Sequence, residues 1–365
     1  MTTTRAELIL SNGTIHTLDT AHPTAEAVAV ANGHIVTVGT LEAVEATAHP
    51  HTRYIDLTGR TLIPGFNDAH LHIERVGLAA GSPTDSGFEA VILAAAKLLV
   101  RLGITNITDA GLTPPQLEAY RQLAADRRLP LRVNAIALRY HPDGTKIPLP
   151  ERFESNWLRI DTIKLFADID QSGTLRSTDD QMRAMVWDVH RAGLRATIHA
   201  VSEAAIEQAI SAIEYASNRL VSRLKHRIEQ CVHPTDDQIQ RCRQSGINIV
   251  VRPILTQNPA PLRKLLDSGV SLGFGSNASA VPDVNPLVGM KAATTQITIA
   301  EALSLYTLGG ALVVGEDSLK GSMVPGKYAD FAILSGDPLR APAERLSDLQ
   351  VEMTLINGQV VYTLK

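Results

Sequence analysis

Two histidines one residue apart, His70 and His72 in "NDAHLH", are the first residues in this chain whose spacing suggests chemistry. Alternate residues of an extended strand share a face, so the two imidazoles project together. Lys164 lies inside "DTIKLFAD", and His199 closes "LRATIHA". Gln230 and Asn277 sit at the ends of "HRIEQC" and "FGSNAS". Imidazole nitrogens bind zinc and other divalent first-row metals. A buried lysine becomes a ligand only with a lowered pKa or after modification, as when carbon dioxide converts it to an anionic carbamate. Each residue alone has an ordinary structural explanation: a hydrogen-bonded histidine, or a lysine reaching for the surface. Three histidines and a lysine at corresponding strand ends point instead to a metal site.

Eight β-type runs would have to position these groups. They lie around Ile63–His72, Ile104–Ala110, Arg132–Leu138, Thr162–Ala167, Arg195–His199, Lys225–Gln230, Asn248–Arg252 and Ser271–Ser276. Helical patterns separate most of them. "TDSGFEAVILAAAKLLVRLG" ends at Gly103, and "DDQMRAMVWDVHRAG" ends at Gly193; glycine is the usual residue past a helix C-terminus. Eight such units over residues 64–315 predict an α/β fold, a (β/α)8 TIM barrel whose active site lies at the C-terminal ends of its strands. No glycine fingerprint supports a doubly wound sheet. Residues 1–63 and 316–365 read instead as short strands, with Asn12-Gly13, Asn32-Gly33 and Asn357-Gly358 as hairpin signals. Neither end can bury a core alone, so the two are expected to combine into a small β-sandwich.

The composition narrows the partners. A 365-residue chain with 44% hydrophobic and 20% charged residues is ordinary for a globular protein. The net charge of −4 and the lack of a basic run argue against nucleic acid and anionic membranes. An aromatic share of 4% argues against base-stacking platforms. Cys231 and Cys242 form neither a metal pair nor a disulfide framework. With no apolar leader and no apolar run long enough to span a bilayer, a reduced cytoplasmic setting and a small-molecule substrate are expected.

At these residues the chain resembles the amidohydrolase superfamily, and within it the YtcJ-like branch of metal-dependent hydrolases. The resemblance is carried by "GRTLIPGFNDAHLH", "GITNITDAG", "IKLFAD", "HRIEQC", "LGFGSNASAVPDVNPL" and "GSMVPGKYADFAILSGDPL". It implies that His70 and His72 bind a buried metal, that Lys164 is a bridging N6-carboxylysine, and that His199 binds a second metal. It also implies a histidine where Gln230 stands, and an aspartate, both ligand and proton acceptor, where Asn277 stands. Two members of the expected set are thus neutral amides, and the chain is short for the branch. A homodimer or tetramer is a further expectation from the resemblance.

Without that aspartate, two divalent ions would carry more charge than a carboxylated Lys164 and a hydroxide can balance in a poorly solvated site. One ion is therefore expected, most simply zinc, held by some of His70, His72, His199 and Lys164. Asn277 can hydrogen-bond but cannot serve as a general base. Asp283 is the first candidate to replace the lost base, with Asp168, Asp170 and His233 behind it. Gln230 and His233 are candidates for metal or substrate contact, and Asp68 for a hydrogen bond to a ligating histidine. His226 lies a strand's length below Gln230, too deep to share its metal. Arg139, Tyr140, His141 and Arg252 could meet an anionic substrate. The expected function is metal-dependent hydrolysis of a C–N bond in an amide, cyclic amide or related small molecule. The alternatives are a lyase, isomerase or decarboxylase on the same scaffold, and a catalytically silent ligand-binding barrel.

Overall fold

The computed structural model describes residues 5–82, 87–168, 173–254, 259–278 and 284–365. Five strands come first: β1 (Leu8–His16), β2 (Thr24–Ala31), β3 (His34–Gly39), β4 (Arg53–Asp56) and β5 (Thr61–Pro64). Three close the chain: β15 (Phe331–Leu334), β16 (Val351–Ile356) and β17 (Gln359–Thr363). They join into one mixed sheet in the order β17-β16-β15-β5-β1-β2-β3, with β4 on β1. The two ends of the chain meet where β5 pairs antiparallel with β15, Ile63 opposite Ala332. This sheet buries a core of its own, including Leu10, Val28, Leu62, Phe331 and Leu355.

Two of the three Asn-Gly pairs turn hairpins as expected, Asn32 between β2 and β3 and Asn357 between β16 and β17, both left-handed. The third does not. Asn12-Gly13 lies within β1 where its register with β2 shifts, so it forms a bulge. Glycine is required there because a Cβ on Gly13 would run into Leu57.

Between the terminal segments run β6 (Phe66–Leu71), β7 (Ile104–Leu112), β8 (Arg132–Leu138), β9 (Phe153–Glu154), β10 (Leu158–Phe166), β11 (Arg195–Ala200), β12 (Arg227–Gln230), β13 (Asn248–Val251) and β14 (Leu272–Phe274). All but β9 pair in parallel, in the order β14-β13-β12-β11-β10-β8-β7-β6. This is the expected eight-stranded barrel, nearly closed. Helices Phe88–Arg101 and Asp179–Arg191 end where Gly103 and Gly193 turn left-handed. Apolar residues from helices and strands, among them Ile92, Leu99, Ile107, Ile163, Ile198, Ile206 and Ile249, fill the space between the two layers. One β/α unit is incomplete: β8 reaches β10 through β9, antiparallel to β10, with no intervening helix. No helix among the described residues is long and apolar enough to cross a membrane.

The seam between the last and first barrel strands has its own chemistry. Ser276 N–H donates to Asp68 Oδ1 at 3.0 Å, and Asn277 N–H donates to the His70 carbonyl at 2.7 Å. A Cβ on Gly275 would stand 2.6 Å from His70 Cβ, so only glycine permits the approach. At the opposite end of the barrel, the buried Arg132 Nε–Asp330 Oδ2 pair at 2.6 Å ties β8 to the terminal sheet.

Candidate active site

The barrel brings His70, His72, Lys164 and His199 to the C-terminal ends of β6, β10 and β11. The His70 and His72 rings lie 5.3 Å apart and nearly perpendicular. His72 Nδ1 lies 2.9 Å from the Ala110 carbonyl. A carbonyl only accepts, so Nδ1 carries the proton and Nε2 keeps its lone pair. His199 Nε2 is buried with no hydrogen-bond partner among the described residues; Asp168 Oδ1 is 3.8 Å away. Burial holds all three imidazoles neutral, with His70 pushed down to about 3, His199 to about 4 and His72 below its ordinary value. The positive charge of Lys164 adds to this effect at each ring.

Glu229, a residue the sequence reading passed over, sits at the centre of this group. It is fully buried. One oxygen accepts from Lys164 Nζ, while the other lies 2.7 Å from Arg227 Nη2 and 2.8 Å from His70 Nδ1. Arg227 Nε also donates to Thr197 Oγ1 at 3.0 Å. Burial alone would raise the Glu229 pKa, but the contact with His70 and the positive charges of Lys164 and Arg227 outweigh it and hold the carboxyl well below its usual range. Burial likewise lowers the Lys164 pKa, with Glu229 opposing. The period-two signal was present in "HRIEQC": Arg227 and Glu229 alternate along β12 and share an inward face.

Three aspartates brace the strand ends that carry the imidazoles. Asp68 accepts the N–H groups of His70 and Ser276, at 3.1 and 3.0 Å. Its bonds go to backbone, and they fix the seam. Asp109 accepts from Ile73 N–H at 2.9 Å and the Tyr120 hydroxyl at 2.8 Å, holding the residue after His72. Asp168 accepts from the N–H groups of Val201 and Ser202 and from the Ser202 hydroxyl, at the turn after His199. A carboxylate bonded this fully is a poor general base. Burial raises Asp68 to about 6 and Asp109 to about 7 against these bonds.

The other candidates separate. Asp283 and Asp170 lie outside the described residues. His233 is exposed, and its N–H donates to the Val201 carbonyl. His226 bonds His190 at 2.8 Å below the site, as its depth predicted. Arg139 turns to the Ile147 carbonyl and to Asp188. Tyr140 forms a backbone bridge with Lys146. Gln230 and Asn277 both adopt left-handed backbone, with φ of 78° and 49°.

Among the described residues, no three His, Cys, Asp or Glu side chains are arranged as a ready-made metal cage. The donor chemistry nevertheless suits a divalent ion. The imidazoles are neutral, His199 Nε2 is bare and buried, and the Nδ1 bond of His72 orients its free nitrogen as ligating histidines require. Nothing in this arrangement supports carboxylation of Lys164, because a carbamate would set a second anion against Glu229.

Residues 87–362 match the family model described as the amidohydrolase family. The chain belongs to that family. This amidohydrolase is 22% identical to the N-substituted formamide deformylase of Arthrobacter pascens over an alignment 533 positions long, gaps included, covering 98% of each chain. It is also 22% identical to YtcJ of Bacillus subtilis (strain 168) over 298 residues, 67% of this chain but only 55% of YtcJ. The amidohydrolase fold matches a metal-dependent hydrolase from Pyrococcus horikoshii OT3 with a TM-score of 0.77 at 18% identity, covering 92% of this chain and 99% of that one. An adenosine deaminase from Xanthomonas campestris with bound zinc gives 0.74 at 18% identity, covering 98% and 93%.

Proposed function

We propose that this amidohydrolase hydrolyses a C–N bond in a small amide or cyclic amide, using one divalent ion, most simply zinc, held by His70, His72 and His199. The observation that carries this reading is the pair of free Nε2 atoms, on His72 and His199, in imidazoles kept neutral by burial. A bound ion would supply Lewis acidity toward the scissile carbonyl and the attacking water. Glu229 lies against His70 Nδ1 and balances Lys164, and the Asp109 and Asp168 brackets hold the chain beside His72 and His199. For proton transfer Asp168 and Glu229 are poorly suited, each bonded to N–H or ammonium donors, whereas Asp68 keeps its Oδ2 unpartnered among the described residues. Asp68 and Asp283 are the candidates.

That scarcity of free carboxylates also favours a second reading, a non-hydrolytic lyase or isomerase that needs carbonyl polarisation without an attacking water. Metal analysis of protein purified without chelator is expected to give about one ion per chain by the charge argument. Turnover of a formamide and cyclic-amide panel in oxygen-18 water should then place the label in the acid product. Product free of label would favour the lyase, and protein that takes up no metal would leave a binding barrel.

Metal retention should also resist acid. An ordinary imidazole, with a pKa near 6.5, begins to lose a metal to protons just below neutrality. Protons reach His199 only near about 4 and His70 near about 3. Protein loaded at neutral pH and desalted at about pH 5 should therefore keep its ion. Release centred near about pH 6 would show ordinary imidazoles.

A further inference from the structure

We propose that Gln230 and Asn277 together read the N–H and C=O edge of the substrate, making this site selective for amides that carry a free N–H. This rests on the C–N hydrolase reading above and names its substrate class more narrowly. Both residues lie at the C-terminal ends of barrel strands, Gln230 closing β12 and Asn277 just beyond β14. With β13 between them, their backbones are roughly 10 Å apart, the span of a small ring.

Neither side-chain amide has a hydrogen-bond or ionic partner among the described residues; Gln230 is only 9% exposed as a residue, yet its amide atoms, like those of Asn277, stay open to solvent. The backbone adds a second, independent observation. Gln230 and Cys231 are left-handed in succession, with φ of 78° and 42°, and neither residue type favours that region. The turn is held by Cys231 N–H donating to the Ala200 carbonyl at 3.0 Å, directly after His199. Strain of this kind persists where surrounding structure enforces it, and it gathers at ligand sites. Asn277 is pinned by its own N–H to the His70 carbonyl. Both amides thus branch from backbone fixed to the strands that carry the imidazoles.

A carboxamide has one acceptor and two donors, so the pair can accept from a substrate N–H while donating to a carbonyl. A site built for that N–H rejects an analogue lacking it, because its own acceptor is left unpaired.

The test is calorimetric binding of hydantoin and of 1,3-dimethylhydantoin, which has the same ring but no N–H, to the metal-loaded protein and its variants. The expected preference for hydantoin is at least about tenfold. It should fall toward one in Gln230→Leu and Asn277→Leu, with the melting temperature unchanged in Gln230→Leu and somewhat lowered in Asn277→Leu, where leucine replaces asparagine in left-handed backbone. Gln230→Glu, of unchanged length, keeps an acceptor but loses both amide donors, and it covers a leucine variant that fails to fold. A preference near one in the parent, a preference retained in both leucine variants, or no binding of either ring would overturn the proposal. Because binding is read directly, hydantoin that binds selectively without turnover counts against the hydrolase reading alone. Turnover that ignores the leucine substitutions counts against the amide pair alone.

Discussion

Glu229→Ala should be among the most destabilising single substitutions in this chain. It strands Lys164 and Arg227 in the barrel interior without their shared carboxylate, each no more than about one-twentieth exposed. Removing one partner of a buried ion pair costs roughly 3–5 kcal/mol. That is a large part of a typical domain's 5–15 kcal/mol or so. Glu229→Gln keeps the shape but not the charge and should fall between parent and alanine. Glu229→Leu combined with Lys164→Met should recover only part of the loss, because the apolar pair leaves no lysine charge to solvate but Arg227 still lacks its carboxylate. Urea melts of the four proteins would check the series. An alanine variant with the parent's midpoint would mean that water reaches both cations, and the interior is not the sealed network described above.

Gly275→Ala should strike the seam and the site together. The new Cβ would lie 2.6 Å from His70 Cβ and 2.7 Å from His70 N, atoms that cannot rotate out of the way. Overpacking of this kind costs roughly 1–3 kcal/mol. The strands would have to part, weakening the bonds from Ser276 to Asp68 and from Asn277 to the His70 carbonyl. With His70 displaced, metal affinity measured by chelator competition should fall about 10- to 100-fold, the range seen when a ligating histidine loses its support. Gly87→Ala is the control. A Cβ there meets nothing within 4 Å, and the residue is exposed, so stability should hold to within about 0.5 kcal/mol. Equal melting and equal metal affinity in Gly275→Ala would show that the barrel closes without the close approach.

The barrel and the terminal sheet were readable because their signals are local: strand runs, helix-ending glycines, and the Asn-Gly turns at 32–33 and 357–358. Asn12-Gly13 misled because a hairpin turn and a bulge both favour Asn-Gly, and only the pairing of Leu57 with Ser11 separates them. The imidazoles were readable for a similar reason, since His70, His72 and His199 sit at strand ends whose direction the fold dictates. Glu229 was harder to see. Its meaning comes from Lys164, 65 positions away, and no local periodicity reports a partner at that separation. Asp68, Asp109 and Asp168 illustrate the same limit. Each carboxylate was visible, but whether it was a free base or a brace depended on backbone N–H groups that folding delivers from another strand.

The seam sets the order in which this protein can be completed on the ribosome. His70 and His72 emerge early, yet their strand acquires its second neighbour only when Ser276 and Asn277 arrive, some two hundred residues later. Until then the edge of β6 is open, and the nascent chain carries all three imidazoles without the contact that aligns them. Metal capture should accordingly be a late event, coupled to the emergence of the final barrel strand.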